Sequence, residues 1–173
     1  MDTSQVIRIA GIVNDSIVDG PGIRMTVFVQ GCPHNCEGCH NPQTHDFVSG
    51  EDMTIADILS KIKTNPLLDG VTFSGGEPFC QAEQLAYLGQ QIKAMGLNIM
   101  TYSGYTYDYL IRNANEKNHW RELINISDWL VDGPFVLAQK NLTLKFRGSS
   151  NQRIIDIRKS IEQDKVVISE LQN

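Results

Sequence analysis

Strand-like and helix-like patterns of apolar residues alternate along most of the chain. Residues 24–30 alternate apolar and polar positions and are rich in Val and Phe, which predicts a β-strand. Residues 54–62 place Ile and Leu at helical spacing behind Thr54, a residue type that commonly caps a helix N-terminus. The alternation continues with a predicted strand at 71–74, a helix at 82–95, a strand at 97–102, a helix from residue 107 and a strand at 129–132.

This order of elements predicts βαβ units and a parallel sheet, and therefore an α/β fold. The length of 173 residues suits one domain, so we expect residues 1–173 to form a single unit. A complete eightfold barrel needs about 250 residues, so only a partial, incomplete TIM-like barrel is expected. Beyond Gly133 the pattern weakens. Residues 142–146 predict a strand, whereas 154–161 fit a helix and a strand equally well.

The composition narrows the class of protein. The chain has 15 Lys and Arg against 20 Asp and Glu, a net charge of −5, and this balance argues against a nucleic-acid partner. No apolar run approaches the ~20 residues that span a bilayer, and the first residues do not resemble a signal peptide. We therefore expect a cytoplasmic protein without a membrane partner, whose four cysteines stay reduced and act as ligands or catalysts.

Three of the cysteines are closely spaced. Cys32, Cys36 and Cys39 form a C-x3-C-x2-C pattern directly after the predicted strand 24–30. A tight loop would bring three thiolates around one point and would leave one iron of a [4Fe–4S] cluster without a protein ligand. One alternative is cysteines with no ligand role. Another is a zinc site whose remaining ligand comes from one of the nearby histidines His34, His40 and His45.

A second candidate site follows the predicted strand 71–74. Residues 74–78 read Ser-Gly-Gly-Glu-Pro and lie where α/β proteins bind ligands, at the carboxyl end of a strand. The pair Gly75 and Gly76 lets the backbone approach a ligand closely, and Glu77 offers a carboxylate to an ammonium group. Taken alone, the glycine pair also fits a simple turn. Beside the cysteine triplet, it favours a ligand site.

Together, the cysteine triplet and the Gly-Gly-Glu-Pro loop resemble the radical S-adenosylmethionine (SAM) superfamily. Residues 19–24, Asp-Gly-Pro-Gly-Ile-Arg, resemble the motif that precedes the cysteines in glycyl-radical-enzyme activases. Residues 130–135 and 147–153 resemble the activases of anaerobic ribonucleotide reduction. The resemblance covers roughly residues 7–157, and it implies a partial barrel of the radical SAM type.

The resemblance also implies a set of cofactor contacts. Cys32, Cys36 and Cys39 would hold the [4Fe–4S] cluster, and SAM would chelate the fourth iron. Gly75, Gly76 and Glu77 would receive the methionine amino group. The cofactor-binding residues expected in total are Gly38, Cys39, His40, Gly75, Gly76, Glu77 and Asp132. No further catalytic side chain is expected, because the cofactor carries the reaction.

The implied reaction begins with one electron from a reduced flavodoxin-type donor. Cleavage of SAM then yields a radical that removes a hydrogen atom from a glycine of the large subunit of anaerobic ribonucleoside-triphosphate reductase. One alternative is the same chemistry on another glycyl radical enzyme, such as pyruvate formate-lyase. A zinc or redox-sensing module is the alternative from a different class.

Two expectations concern residues outside this core set. Cys80 is expected to be a buried apolar thiol, with a role as a fourth ligand as the alternative. Residues 133–153 lie outside the βα pattern and carry the most family-specific residues. They are expected to form part of the docking surface for the reductase, or else a structural cover.

Overall fold

The computed structural model describes residues 1–173 as seven strands, five α-helices and four short 3-10 helices. The strands are β1 (Val6–Ser16), β2 (Arg24–Val29), β3 (Glu51–Thr54), β4 (Gly70–Gly75), β5 (Asn98–Tyr102), β6 (Trp129–Asp132) and β7 (Arg153–Asp156). The helices are α1 (Ile55–Lys63), α2 (Ala82–Ala94), α3 (Tyr107–Asn113), α4 (Trp120–Ile126) and α5 (Ile157–Gln163). The longest of them, α2, has 13 residues, and none is long and apolar enough to cross a membrane.

All seven strands belong to one mixed sheet in the order β3-β1-β2-β4-β5-β6-β7. The central strands β2, β4, β5 and β6 run parallel. Antiparallel strands flank them, with β1 and β3 on one side and β7 on the other. The edge strands β3 and β7 do not pair with each other, so the sheet is open. The predicted α/β class is confirmed, and the carboxyl ends of the four parallel strands share one edge.

Helices α1 and α2 form where the sequence predicts them, and the reasons are local. Thr54 caps α1 by accepting a hydrogen bond from the Asp57 backbone N–H at 3.1 Å. The apolar residues that follow at helical spacing are all buried. Helix α2 ends before Gly96, whose φ of +81° is the left-handed conformation that glycine adopts most easily after a helix.

The two faces of the sheet differ in composition. On one face, a core of 26 buried apolar residues joins the strands to all five helices. On the other face, only Met100, Val131 and Ile154 form a small buried apolar cluster. Alternate residues of one strand reach both faces, so in β2 Met25 and Val27 belong to the large core. The second face is open to the loops that build the site.

The structure differs from the sequence predictions in the less regular segments. The strand predicted at 142–146 is wrong, because these residues form turns and Leu142 is 85% exposed. The ambiguous segment 154–161 contains both elements, since β7 passes into α5 at Asp156. This residue caps the helix by accepting a hydrogen bond from the Lys159 N–H at 3.0 Å. Strands β1 and β3 and helix α4 were not predicted.

Candidate functional site

A cavity of about 370 Å³ lies at the carboxyl ends of the parallel strands. Cys32, Cys36 and Cys39 line it from the loop after β2, and Gly75 and Gly76 line it from the loop after β4. The structure therefore brings together the two motifs that the sequence analysis singled out. A cavity of this size and position is typical of a site for a small-molecule cofactor.

The cysteine-bearing loop, residues 31–46, is held closed by its own backbone. The Gly31 N–H donates to the Thr44 carbonyl oxygen at 2.7 Å, and the Cys32 N–H donates to the His45 carbonyl oxygen at 3.0 Å. A sharp bend between the second and third cysteines uses Gly38, whose φ is +74°. The Asn41 N–H donates to the Cys39 sulfur at 3.4 Å. The loop is therefore ordered by hydrogen bonds that do not involve a metal.

The three thiols fit an iron–sulfur cluster better than a single ion. No group of three or more His, Cys, Asp or Glu side chains is gathered closely enough to hold one metal ion. A tetrahedral zinc ion requires each sulfur ligand within about 2.3 Å of the same point. A [4Fe–4S] cluster presents a separate iron to each cysteine, so its ligands spread around a larger body. Burial raises the pKa of the Cys32 thiol, and the His34 backbone N–H works against that rise.

The loop after β4 is joined directly to the cysteine-bearing loop. The Gly76 N–H donates to the Val29 carbonyl oxygen, and the Glu77 N–H donates to the Gly31 carbonyl oxygen, both at 2.8 Å. A Cβ atom on Gly76 would overlap the Gly31 carbonyl oxygen. A Cβ on Gly75 would lie 2.6 Å from the Val29 nitrogen. The glycine pair is therefore required for packing between the loops as well as for access to the cavity.

Glu77 is fully buried beside the cavity, and its carboxylate is surrounded by donors. His34 Nε2 lies 2.5 Å from Oε2, and the Gly104 N–H donates to the same oxygen at 2.9 Å. The Phe79 N–H donates to Oε1 at 3.0 Å, and the Ser103 hydroxyl lies 3.1 Å from both oxygens. The carboxylate thus ties together the loops after β2, β4 and β5. Its predicted contact with the SAM ammonium group stays a prediction.

The two residues that flank Cys39 have different positions: one lines the cavity, and the other packs behind it. His40 lines the cavity, with its ring centroid 5.1 Å from that of Phe135. Gly38 does not line the cavity and packs against Leu137, whose methyl carbon would lie 2.8 Å from a Cβ at this position. Phe135 and Leu137 both belong to the segment after β6. That segment therefore supports the cysteine-bearing loop from outside.

Asp132 ends β6 as a buried carboxylate rather than as an open ligand of the cavity. It accepts hydrogen bonds from Arg153 Nε at 3.0 Å and Nη2 at 2.6 Å, and from the Tyr107 N–H at 2.8 Å. These contacts raise the pKa of the Arg153 guanidinium. The next residue, Gly133, does line the cavity. Asp132 is therefore placed to orient the backbone at the cavity wall.

Two residues of the Asp-Gly-Pro-Gly-Ile-Arg motif lie on the open face of the sheet. Asp19 lines the cavity and accepts hydrogen bonds from Ser16 at 2.5 Å and Thr26 at 3.0 Å. Arg24 is fully buried and donates to Thr72, to the side chain of Asn98 and to two carbonyl oxygens. Burial lowers its pKa to about 10. Asp19 was not among the predicted site residues, although its motif had marked it.

Cys80 lies outside the cavity and is exposed, so the prediction of a buried thiol is wrong. It belongs to the short 3-10 helix at 78–81, which begins at Pro78 and is capped by Glu77. Partial desolvation of the sulfur and the nearby Glu77 carboxylate raise the pKa of this thiol to about 12. The other three cysteines line the cavity and Cys80 does not, although Cys32 is near enough to contribute to the raised pKa of Cys80.

Arg147, Gly148 and Gln152 form the far wall of the cavity, and the C-terminal tail supports this wall through Arg147. Arg147 lines the cavity and donates to the carbonyl oxygens of Gln152 at 2.9 Å and Gln172 at 3.3 Å. The Gln172 side chain in turn accepts a hydrogen bond from the Ile154 N–H at 2.7 Å. No local pattern in the sequence indicates that Gln172 contributes, because its role depends on contacts with β7.

Comparison with known proteins places this arrangement in a family. A family model described as a 4Fe-4S single cluster domain matches residues 18–155. The anaerobic ribonucleoside-triphosphate reductase-activating protein of Salmonella typhi is 38% identical over 153 residues, which cover 82% of this chain and 94% of that protein. The chain belongs to the anaerobic ribonucleoside-triphosphate reductase-activating proteins. The member from Escherichia coli K12 is 37% identical over 150 residues, with the same coverage of both chains.

A second group of activases is similar over a shorter region. The pyruvate formate-lyase-activating enzyme of Clostridium pasteurianum is 41% identical over 106 residues, which cover 58% of this chain but only 44% of that enzyme. The similarity to the reductase-activating proteins extends over nearly their whole length. Membership of the reductase-activating family therefore accounts for more of the chain.

Proposed function

We propose that this protein activates anaerobic ribonucleoside-triphosphate reductase by generating a glycyl radical on its large subunit. One observation carries the proposal: Cys32, Cys36 and Cys39 line the same cavity as the Gly75–Gly76 loop, at the carboxyl ends of the parallel strands. These three thiols would hold a [4Fe–4S] cluster with one iron free for SAM. When bound, the reduced cluster supplies the electron that cleaves the S–C5′ bond of SAM and so provides the radical for hydrogen abstraction.

The chain's own residues would bind and orient the cofactors. The backbone at Gly75 and Gly76 would approach the methionine part of SAM, since no side chain blocks that surface. Glu77 would fix the position of this loop, and its carboxylate would attract the ammonium group. His40 would lie against the adenine, with Gly38 giving the loop behind it the necessary bend. Asp132 would act through the adjoining backbone of Gly133, which lines the cavity.

The open sheet supports the proposal of an incomplete radical SAM barrel. The helices cover one face only, and the edge strands β3 and β7 leave the sheet unclosed. An unclosed barrel can admit a loop of another protein, which a glycine substrate requires. Val18 at the mouth of the cavity is 70% exposed, so the rim offers an apolar contact to such a loop. The inserted loop would also exclude water from the reacting atoms.

An anaerobic assay tests this function. The cluster-loaded protein is reduced by a flavodoxin-type donor or a chemical reductant and incubated with SAM and the large subunit of the reductase. The expected result is a glycyl radical signal in electron paramagnetic resonance and release of 5′-deoxyadenosine and methionine. Iron and sulfide analysis should give about four of each per chain. One zinc per chain without iron would overturn the proposal in favour of a zinc module.

The similarity to pyruvate formate-lyase-activating enzyme supplies a second candidate substrate for the same assay. Because the chain covers 94% of the first relative but only 44% of this one, we expect the reductase to be the better substrate. Parallel incubations with each glycyl radical enzyme compare the two directly. A radical on pyruvate formate-lyase and none on the reductase would reassign the substrate while leaving the chemistry in place.

A further inference from the structure

We propose that His34 is a positioning residue of the cofactor site, which fastens the cysteine-bearing loop to the Gly-Gly-Glu-Pro loop through the buried carboxylate of Glu77. The inference rests on the proposed function for its cofactors, but its structural basis is in the chain itself. His34 lies between the first two cysteines of the triplet, and its ring reaches the end of β4. His34 provides a side-chain contact between the two loops, which are otherwise joined by backbone hydrogen bonds.

The ring of His34 is held from several directions. Nε2 lies 2.5 Å from Glu77 Oε2. A hydrogen atom lies between the two groups in this bond, and a ring nitrogen is able to donate it to a carboxylate oxygen. The ring also meets Tyr105 edge-on, with centroids 4.4 Å apart, and a Cβ on Gly104 would overlap it. A surface histidine without a role would not be enclosed by the ends of three strands.

The contact is important because His34 is the only side chain of the cysteine-bearing loop that hydrogen-bonds to Glu77. Its remaining donors are Ser103, Gly104 and Phe79, which all come from the loops after β4 and β5. Loss of a hydrogen-bond donor to a buried carboxylate costs stability. A charge-assisted hydrogen bond to such a carboxylate is among the stronger hydrogen bonds in proteins. His34 therefore fixes the cysteine-bearing loop at the depth where Glu77 is buried.

The contact between His34 and Glu77 also fixes the backbone next to Cys32. The backbone N–H of His34 lies two residues from Cys32, the first of the proposed cluster ligands. Hydrogen bonds and dipoles directed at the sulfur ligands favour the reduced, more negative state of an iron–sulfur cluster. Without the contact to Glu77, this N–H is free to turn away. Reduction of the bound cluster should then become harder.

The test compares three variants of the full chain after anaerobic loading with iron and sulfide. His34→Leu removes the donor and keeps a similar volume, whereas His34→Gln retains an N–H donor that can reach Glu77. His119→Asn is the matched control. His119 also faces carboxylates, with Nδ1 3.3 Å from Glu122, but it lies away from the cavity, and its φ of +55° suits asparagine. The readouts are the reduction potential of the cluster and the change in its spectrum on addition of SAM.

We expect His34→Leu to shift the one-electron reduction equilibrium about tenfold toward the oxidised cluster, a 59 mV change to more negative potential. The spectral change on adding SAM should require about tenfold more SAM. His34→Gln should restore most of both values, and His119→Asn should match the unaltered protein. If His34→Leu does not accumulate as folded protein, His34→Asn, whose amide is too short to reach Glu77, replaces it in the same comparison.

Unchanged potential and unchanged SAM titration in a folded His34→Leu variant would overturn the positioning role. Equal losses in His34→Leu and His34→Gln would also overturn it, because the bond to Glu77 would then not be the cause. These results differ from a failure of the proposed function. In that case the unaltered protein itself would bind no cluster or would show no spectral response to SAM.

Discussion

Different interactions stabilise the two faces of the sheet. The helix-covered face is apolar, and its 26-residue core runs from α1 to α5. The open face has only three buried apolar residues, and it relies on hydrogen-bonded polar groups such as Arg24, Thr26 and Thr72, all of them buried. One strand contributes to both faces because its side chains alternate. The same strands therefore support the apolar core on one face and the cavity on the other.

Because the two faces differ in this way, stability and function can be changed independently. Burial of apolar area dominates folding stability, so the helix-covered face should set the free energy of unfolding. Polar networks hold a defined geometry but contribute less net free energy per contact. Substitutions on the open face should therefore alter cofactor binding more than unfolding.

The largest effect is expected from loss of a thiol on the open face. Cys32→Ala, Cys36→Ala or Cys39→Ala should each reduce the iron content from about four per chain to nearly zero, because two thiolates do not retain the cluster. The free energy of unfolding of the metal-free protein should stay within ~0.5 kcal/mol. Cys80→Ala is the control and should keep its iron. Iron analysis and urea unfolding measure both quantities, and a metal-free variant that is strongly destabilised would refute the division of faces.

The next effect is expected in the apolar core. Phe73→Ala removes a fully buried ring from β4 and should lower the free energy of unfolding by about 3–5 kcal/mol. Phe28→Ala provides the comparison on the other face, because Phe28 lies on the adjacent strand, is partly exposed and lines the cavity. Its cost should be no more than about half as large. Equal costs in chemical denaturation would mean that the open face contributes as much as the core.

A smaller effect is expected at the junction of the two loops. Gly76→Val should displace the Gly31 backbone, because the new Cβ would overlap the Gly31 carbonyl oxygen. We expect a loss of about 1–3 kcal/mol in unfolding free energy and a weaker response of the cluster to SAM. Gly11→Ala is the matched control, since a Cβ at Gly11 meets nothing within 4 Å. Normal SAM binding by Gly76→Val would show that close packing at this glycine is not required.

A further effect concerns the buried carboxylate of Asp132. Arg153→Ala removes its two-point partner and should cost about 2 kcal/mol of unfolding free energy, the value of a charge-assisted bond to a buried acid. Arg158→Ala breaks an exposed pair with Glu162 and should cost well under 1 kcal/mol. Thermal unfolding of both variants gives the comparison. Similar costs would indicate that Asp132 stays hydrated or finds another donor.

The smallest effect is chemical and leaves the fold intact. The pKa of Cys80 is raised to about 12, so at pH 8 its thiolate fraction should be about 10³ below that of an ordinary exposed cysteine. A variant with Cys32, Cys36 and Cys39 all changed to Ala isolates this thiol. Its alkylation by iodoacetamide should be slow at pH 8 and still rise about tenfold per pH unit at pH 10 to 11. A rate that levels off near pH 9 would contradict the raised pKa.

Local patterns in the sequence predicted the regular part of the fold and the motifs of the site. Strand β4 and helix α2 follow simple periodicities, and the cysteine and glycine spacings are visible without any structure. Strand β1 was missed because it bulges against β2 and its last three residues are polar. Helix α4 was missed because it has only seven residues and begins after His119 in the left-handed conformation.

Other parts of the site depend on contacts between distant residues. The sequence offered Glu77 as a free carboxylate, whereas the fold surrounds it with donors from three loops. The position of Gln172 beside Arg147 follows from the pairing of the tail with β7, which no periodicity indicates. The wrong strand at 142–146 has apolar residues at alternate positions, but no neighbouring strand is available to pair with them.

The far wall of the cavity has a consequence for the time course of folding. Its Arg147–Gln172 contact and the parallel pairing of β2 with β4 join residues far apart in sequence, and such contacts form slowly, on the order of milliseconds to seconds. Until they form, the three cysteines of the loop are exposed to solvent as ordinary thiols. In air, a newly synthesised chain is then more vulnerable to oxidation than the folded protein. Oxygen exclusion during synthesis should therefore increase the yield of protein that can be loaded with iron.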